Sequence, residues 1–216
     1  MEIVLPSVAH IGAFAIAGFA LLLVPGPAVL YIVGRSIEQG RVAGVVSVLG
    51  ITTGTMVHVV AAVVGLSALV TQSVLAFSIV KYAGAAYLIY IGVRRLLSRK
   101  ETSAEAVPLP QRSLRRLYSD GFVVNLLNPK TALFFLAFLP QFVEGKVGVP
   151  SQIAFLGLLF AFMGMLSDTC YALLAGTAGG WMKRRRGFLK AERYLTGGVF
   201  VGLGLTAAFA GGDARK

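Results

Sequence analysis

The chain has 216 residues, of which 56% are hydrophobic and 13% charged, with a mean hydropathy of +0.80. A soluble domain carries about 25% charged residues, so this composition excludes a soluble globular protein and leaves no length for a second, soluble domain. The net charge of +11 would suit a nucleic-acid partner, but the basic residues sit in short stretches between apolar runs, which is the pattern of membrane orientation and not of nucleic-acid binding.

Met1-Glu2-Ile3-Val4 lacks the basic start of a signal peptide, so the first apolar run, uncharged from Ile11 to Gly34, reads as a span that is kept. A membrane helix needs about 20 apolar residues, and six fit. The first covers about 8–33 and the second about 42–69. Thr71-Gln72-Ser73 turns the chain into the third, about 74–97. Residues 98–116, with Ser, Glu, Pro and Arg but little periodicity, read as a mobile loop. The fourth, fifth and sixth spans cover about 117–142, 150–180 and 194–211. The expected fold is an all-α integral membrane protein of six transmembrane helices. Residues 1–110 form a three-helix repeat with its loop, and 111–216 form a second three-helix repeat.

With six spans, the 1–2, 3–4 and 5–6 loops share one side and carry 15 Lys and Arg, against 3 on the other side. That bias puts the loops in the cytoplasm and both termini outside. An odd number of helices per half inverts the second repeat relative to the first. Lys81-Tyr82 opens the third span as Arg193-Tyr194 opens the sixth, and Gly54 precedes His58 by the same four residues as Gly164 precedes Asp168.

Both halves contain a helix broken by proline. In the first span Pro25-Gly26-Pro27 interrupts an apolar run, and in the fourth Asn125-Leu126-Leu127-Asn128-Pro129-Lys130 does so. Proline has no N–H and clashes with the carbonyl four residues back, so Leu21, Leu23 and Asn125 lose their helical partners. Stranded backbone is tolerated in lipid only where it faces protein or a watery cavity. Broken helices at matching positions mark a transporter's binding site. Gly26 lets the chain turn freely. The half-helix starting near Pro27 should offer free N–H groups, and the half ending near Val24 should offer carbonyls, which together suit a zwitterion.

Asn125 and Asn128 have no apolar reason to lie in a span. Lys130 has three readings: it holds a substrate carboxylate, pairs with Asp168, or snorkels. Asp168, with 21 uncharged residues before it and 14 after, either binds a substrate ammonium or carries a coupling proton, the bland alternative being a buried ion pair. His58 reads as a hydrogen-bonded interior residue or as a proton-relay partner of Asp168. Asp120 reads as a solvated carboxylate at a helix end, Lys81 as snorkelling, the Lys183–Arg186 cluster as an orientation signal, and the single Cys170 as a buried small hydrophobe. One cysteine, two histidines and one deep carboxylate make a poor set for divalent metal, which leaves a metal-ion exporter as the alternative reading. No nucleophile–base pair or paired carboxylates point to an enzyme, and nothing calls for a cofactor.

These residues resemble the LysE/RhtB (LysE-type) amino-acid exporters. The resemblance spans nearly the whole chain. It is carried by Pro25-Gly26-Pro27, by Lys81-Tyr82-Ala83-Gly84-Ala85-Ala86-Tyr87-Leu88 with Gly92, and by Gly121-Phe122 through Asn125 to Asn128-Pro129-Lys130. Phe134-Phe135, Pro140-Gln141-Phe142 and Asp168 followed by Tyr171 complete it. The resemblance implies a bacterial inner-membrane protein, export of amino acids by proton antiport, and a homodimer. The expected site residues are Pro25, Gly26, Pro27, Asn125, Asn128, Pro129, Lys130 and Asp168 for substrate, with Asp168 and His58 for protons.

Overall fold

The structure is a computed structural model. It describes residues 3–66, 111–145 and 147–182 continuously, with isolated helical positions between 78 and 97 and between 201 and 205. Most of the expected third and sixth spans, the turn at Thr71-Gln72-Ser73, Lys81, residues 98–110 and the Lys183–Arg186 cluster lie outside the described residues. The six-span count, the inverted repeat and the division at residue 110 therefore rest on the sequence.

The regular elements among the described residues are all helical. Helix α1 is Val8–Leu23, started by Ser7, whose hydroxyl accepts from the His10 N–H. Helix α2, Pro27–Ala61, starts after the Pro-Gly-Pro break with proline in its first turn, where a missing N–H is harmless. It is divided by Gly40, whose φ of 84° only glycine adopts without strain, into limbs 27–39 and 41–61. One π-helical turn, Ala62–Leu66, follows. Helix α3 is Leu114–Leu126, α4 is Pro129–Leu133, and the chain continues through a π turn (Phe134–Phe138) and a 3₁₀ turn (Leu139–Phe142). The runs on either side of the second break meet at 44°. Helix α5, Val149–Met182, is 34 residues long.

Helices thus occupy the expected first, second, fourth and fifth spans, with two shifts of boundary; among the described residues two are long and apolar enough to cross a membrane, or three if the bent pair counts as one. Helix α3 begins at Leu114, inside the stretch read as loop, because Ser113 caps it by accepting from the Arg116 N–H. Arg35, counted as a loop residue, lies within α2, 3% exposed, over the Tyr31 ring and beside Glu38. Two further expectations are corrected. Cys170 is exposed, on the outside of α5, because a helix facing lipid is apolar on its outer surface too. Asp120 is not a lone solvated carboxylate: it pairs with Arg112 and with Arg116, the latter at 3.1 Å.

Glycines set the spacing of α2 and α3. A Cβ on Gly50 would fall 2.1 Å from the Tyr118 carbonyl oxygen, one on Gly54 would fall 3.0 Å from Asn125 Cβ, and one on Gly121 would fall 2.7 Å from the Ser47 oxygen. The backbones touch there, as small residues permit in membrane helices. Two apolar clusters result. The larger gathers Phe14, Phe134, Phe135, Phe138, Val149, Ile153 and Phe160 where α1 and α5 begin, with Phe134 stacked on Phe160 at 4.1 Å. The smaller, Ile32, Val48, Ile51 and Ala172, lies toward the Gly40 end.

The two ends are pinned by polar contacts. Where α1 begins, Ser151 Oγ exchanges hydrogen bonds with the Val4 N–H and carbonyl. Glu144 there accepts from the Ser7 N–H and meets His10 Nδ1 at 2.9 Å. Near Gly40, the Gln39 amide pairs with the backbone of Arg112 at 2.9 and 3.0 Å.

Candidate functional site

At the first break the freed carbonyls find partners. The Val24 N–H folds back onto the Leu21 oxygen at 3.2 Å, the Tyr171 hydroxyl donates to the Leu23 oxygen at 3.0 Å, and the Lys130 ammonium donates to the Val24 oxygen. Gly26 has φ −115° and ψ −170°, extended backbone open to any residue. The expected turning freedom is therefore not what glycine supplies here; space is. A Cβ would stand 3.1 Å from Lys130 Cδ and 3.7 Å from its Nζ.

The N–H side of this break is different. Gly26 caps α2 with its carbonyl, which accepts from Leu30 at 2.9 Å, but it has no side chain to cap with. Among the described residues none accepts from the N–H of Ala28 or Val29. Both residues line the cavity described below.

The second break is closed. Asn128 caps α4, its Oδ1 accepting from the Lys130 N–H at 3.1 Å. The Asn125 carbonyl, which lost its partner to Pro129, accepts from the Asn128 N–H at 3.0 Å and meets His58 Nε2 at 3.0 Å. The Asn125 side chain donates to the Ile51 oxygen at 2.9 Å and to Thr55 Oγ1 at 2.8 Å. Its Oδ1 accepts from Asn128 Nδ2 at 3.3 Å and from the Thr131 hydroxyl at 3.0 Å. Because the Ile51 carbonyl can only accept, the orientation of the amide is fixed, and its two donors and two lone pairs are all engaged.

Between the breaks lies a cavity of about 40 Å³, lined by Leu21, Gly26, Thr55, Asn128, Lys130, Thr131 and Asp168 among others. It is large enough for a few waters. Lys130 and Asp168 both line this space, beyond ion-pair contact yet near enough for their charges to interact, and the Lys130 ammonium donates to the Val24 carbonyl. Asp168 is 7% exposed, and among the described residues none donates a hydrogen bond to its carboxylate.

Of the residues expected from the sequence, Gly26, Asn125, Asn128, Lys130 and Asp168 border this one space. Pro25, Pro27 and Pro129 shape the breaks without lining it. His58 is not among the lining residues either; it stacks on Phe135 at 6.0 Å and caps Asn125. Sequence reasoning gave no site role to Thr55, Thr131 or Tyr171. Tyr171 was legible as a polar group three residues from Asp168, hence on the same helical face. The threonines carried no signal, since membrane helices tolerate Thr bonded to their own backbone. Among the described residues no three His, Cys, Asp or Glu side chains gather to hold a metal ion.

A family model described as LysE type translocator matches residues 19–211. The homoserine/homoserine lactone efflux protein of Salmonella typhimurium is 34% identical over 198 residues, covering 92% of this chain and 95% of that protein. The protein of the same description from Salmonella typhi is 33% identical over the same shares. An uncharacterized membrane protein of Bacillus subtilis is 29% identical over 193 residues, covering 86% of this chain and 91% of that protein. No solved structure matches.

Proposed function

The chain belongs to the LysE-type translocator family, and we propose that it exports a small neutral amino acid, held as a zwitterion between its two broken helices. It is a membrane transporter and not an enzyme. The observation that supports the substrate class is the division of unused hydrogen-bonding groups around the cavity. One set is the Ala28 and Val29 N–H groups with the hydrogens of the Lys130 ammonium not given to the Val24 carbonyl. The other is the Asp168 carboxylate, which has no donor among the described residues. A carboxylate fits the first set, at a helix N-terminus whose dipole favours negative charge. An ammonium fits the second. A second positive charge on the substrate would find no further carboxylate lining the cavity, which favours neutral side chains such as that of homoserine, named for the Salmonella relatives.

Asp168 also supplies a route to coupling. When the substrate leaves, its carboxylate is left unpaired in a low-dielectric site, which is costly. Taking a proton from outside relieves that cost, and carrying it inward returns the carrier for another substrate. Ammonium and proton compete for one carboxylate, which makes the exchange an antiport. Asn128 borders the site. Asn125 and His58 hold the second break in shape, with His58 reaching the proton site only through that framework. Six helices in two inverted repeats, 1–110 and 111–216, rock about this centre, in a bacterial inner membrane with both termini outside, as a homodimer.

The test is transport by the purified protein in sealed vesicles, with a mixed pool of mass-resolved amino acids and with or without a pH gradient. Gradient-dependent movement of homoserine and other small neutral amino acids, with lysine and arginine left behind, is expected. Movement of none of them would overturn the reading.

A further inference from the structure

Asn125 looks like a substrate ligand from the sequence, because an amide in a membrane helix needs a polar partner. Its hydrogen-bond inventory points elsewhere. An amide has two donor hydrogens and two acceptor lone pairs. The four partners are Ile51 O, Thr55 Oγ1, Asn128 Nδ2 and Thr131 Oγ1, at 2.8 to 3.3 Å. The side chain is 2% exposed. A substrate could bind it only by breaking one of these bonds.

The partners come from three different pieces of backbone. Ile51 and Thr55 belong to the second limb of α2, Asn128 lies in the break, and Thr131 is in α4. The Asn125 main chain adds His58, again from α2. One residue therefore joins α2, the end of α3 and the start of α4. It also fixes what those partners can offer. The Thr131 hydroxyl gives its hydrogen to Asn125 Oδ1, so it presents only a lone pair to the cavity it lines. Asn128 gives one amide hydrogen to Asn125 and keeps the other. Thr55 donates to the Ile51 carbonyl and accepts from Asn125.

We propose that Asn125 is a positioning residue: it touches no substrate, and its saturated amide locks α2, α3 and α4 into one unit that aims the remaining donor of Asn128 and the remaining acceptor of Thr131 into the cavity. The inference rests on the amino-acid reading of that cavity and assigns a different role to the residue at its centre.

Residues joined by a hydrogen bond do not act independently; if Asn125 works by aiming Thr131, removing Asn125 already forfeits what Thr131 supplies, and a further loss of the Thr131 hydroxyl adds nothing. The experiment measures amino-acid transport by Asn125→Ala, Thr131→Val and the double variant in vesicles, per folded molecule counted by gel filtration. The expected result is that Asn125→Ala raises KM about 10- to 100-fold, Thr131→Val raises it less, and the double variant is no worse than Asn125→Ala alone. Thr131→Ser, which keeps the hydroxyl, should transport like the parent protein. A purely structural Asn125 would lower folded yield and leave KM of the surviving molecules unchanged, which would overturn the proposal, as would multiplying effects in the double variant. If Asn125→Ala does not accumulate, Asn125→Asp decides: it keeps the volume and both acceptors toward Asn128 and Thr131 but loses the donors to α2. It should raise KM and again be non-additive with Thr131→Val; a KM equal to the parent's refutes the role. Failure of the parent protein to move any amino acid would instead strike the functional reading beneath it.

Discussion

Gly26→Ala separates the two jobs a glycine between prolines can do. If glycine were needed for chain reversal, alanine would misfold the break. The backbone there is extended, at φ −115° and ψ −170°, so alanine is allowed. Less freedom in the unfolded chain should then stabilise the protein by about 0.4–1 kcal/mol. The new methyl would stand 3.1 Å from Lys130 Cδ. That contact is too tight by a few tenths of an ångström, and the flexible lysine must give way. Its ammonium is drawn off the Val24 carbonyl and away from the mouth of α2. A hydrogen bond from a charged donor is worth about 1.5–3 kcal/mol, so substrate affinity should fall about 10- to 100-fold. Two measurements on one preparation check this: the melting temperature in detergent and KM for amino-acid transport in vesicles. A raised KM is expected with the fold kept and melting modestly lowered, because loss of the Lys130–Val24 bond outweighs the gain from the unfolded chain. A parent-like KM would refute the argument that Gly26 exists to make room for Lys130, and a collapsed fold would refute the reading of its backbone.

Other perturbations probe the remaining parts. Asp168→Asn keeps the size of the side chain and removes the charge; it should insert normally while gradient-driven efflux falls to background, and parent-like efflux would end the role given to Asp168. Gly50→Ala would drive a methyl to 2.1 Å from the Tyr118 carbonyl oxygen, with backbone and not a flexible side chain as the obstacle. Forced separation of α2 and α3 should cost about 1–3 kcal/mol, seen as a lower melting temperature. Gly12→Ala, with nothing within 4 Å, should be neutral or mildly stabilising. The Ser7 N–H holds the exposed Glu144 carboxyl below its ordinary 4.5. A lowered folded value means the contact is fully present above about 4.5 and is lost as pH falls through the folded value. Relative to its intrinsic rate at each pH, hydrogen exchange of residues 3–10 should therefore quicken in acid. Glu144→Gln should quicken it at neutral pH and flatten the dependence.

Much of the helical order was legible because its signals are local. Proline marks where a helix must stop, Ser113 and Asn128 are capping residues by type, and runs of about 20 apolar residues have one plausible home. Burial was less legible. In a soluble helix an apolar residue points inward, but Cys170 sits in an apolar run and faces out, since lipid removes the contrast that burial patterns rely on. Arg35 failed in the opposite direction: a charge implied a loop, yet it lies buried in a helix with Tyr31 and Glu38 around it. Both errors come from using polarity as a measure of depth where the solvent is itself apolar.

The site shows what kind of information a sequence withholds. Pro25, Pro27 and Pro129 announced that the carbonyls of Leu21, Leu23 and Asn125 would be released. They could not announce which groups would receive them, because that depends on helices distant in the chain. Tyr171 takes one from 148 residues away, Lys130 takes the neighbouring Val24 oxygen from 106 away, and His58 takes another from 67 away. The same accounting distinguishes the two breaks, which look alike on paper. The second ends in Asn128, whose side chain closes its own helix start, while the first ends in Gly26, which has none. An open helix start lining one cavity with a lysine and a carboxylate is therefore a property of the first break alone. If the two halves rock as inverted copies, they do so around a site that is chemically one-sided: the open helix start belongs to the N-terminal half, while Lys130, Asp168 and the framework around Asn125 belong to the C-terminal one.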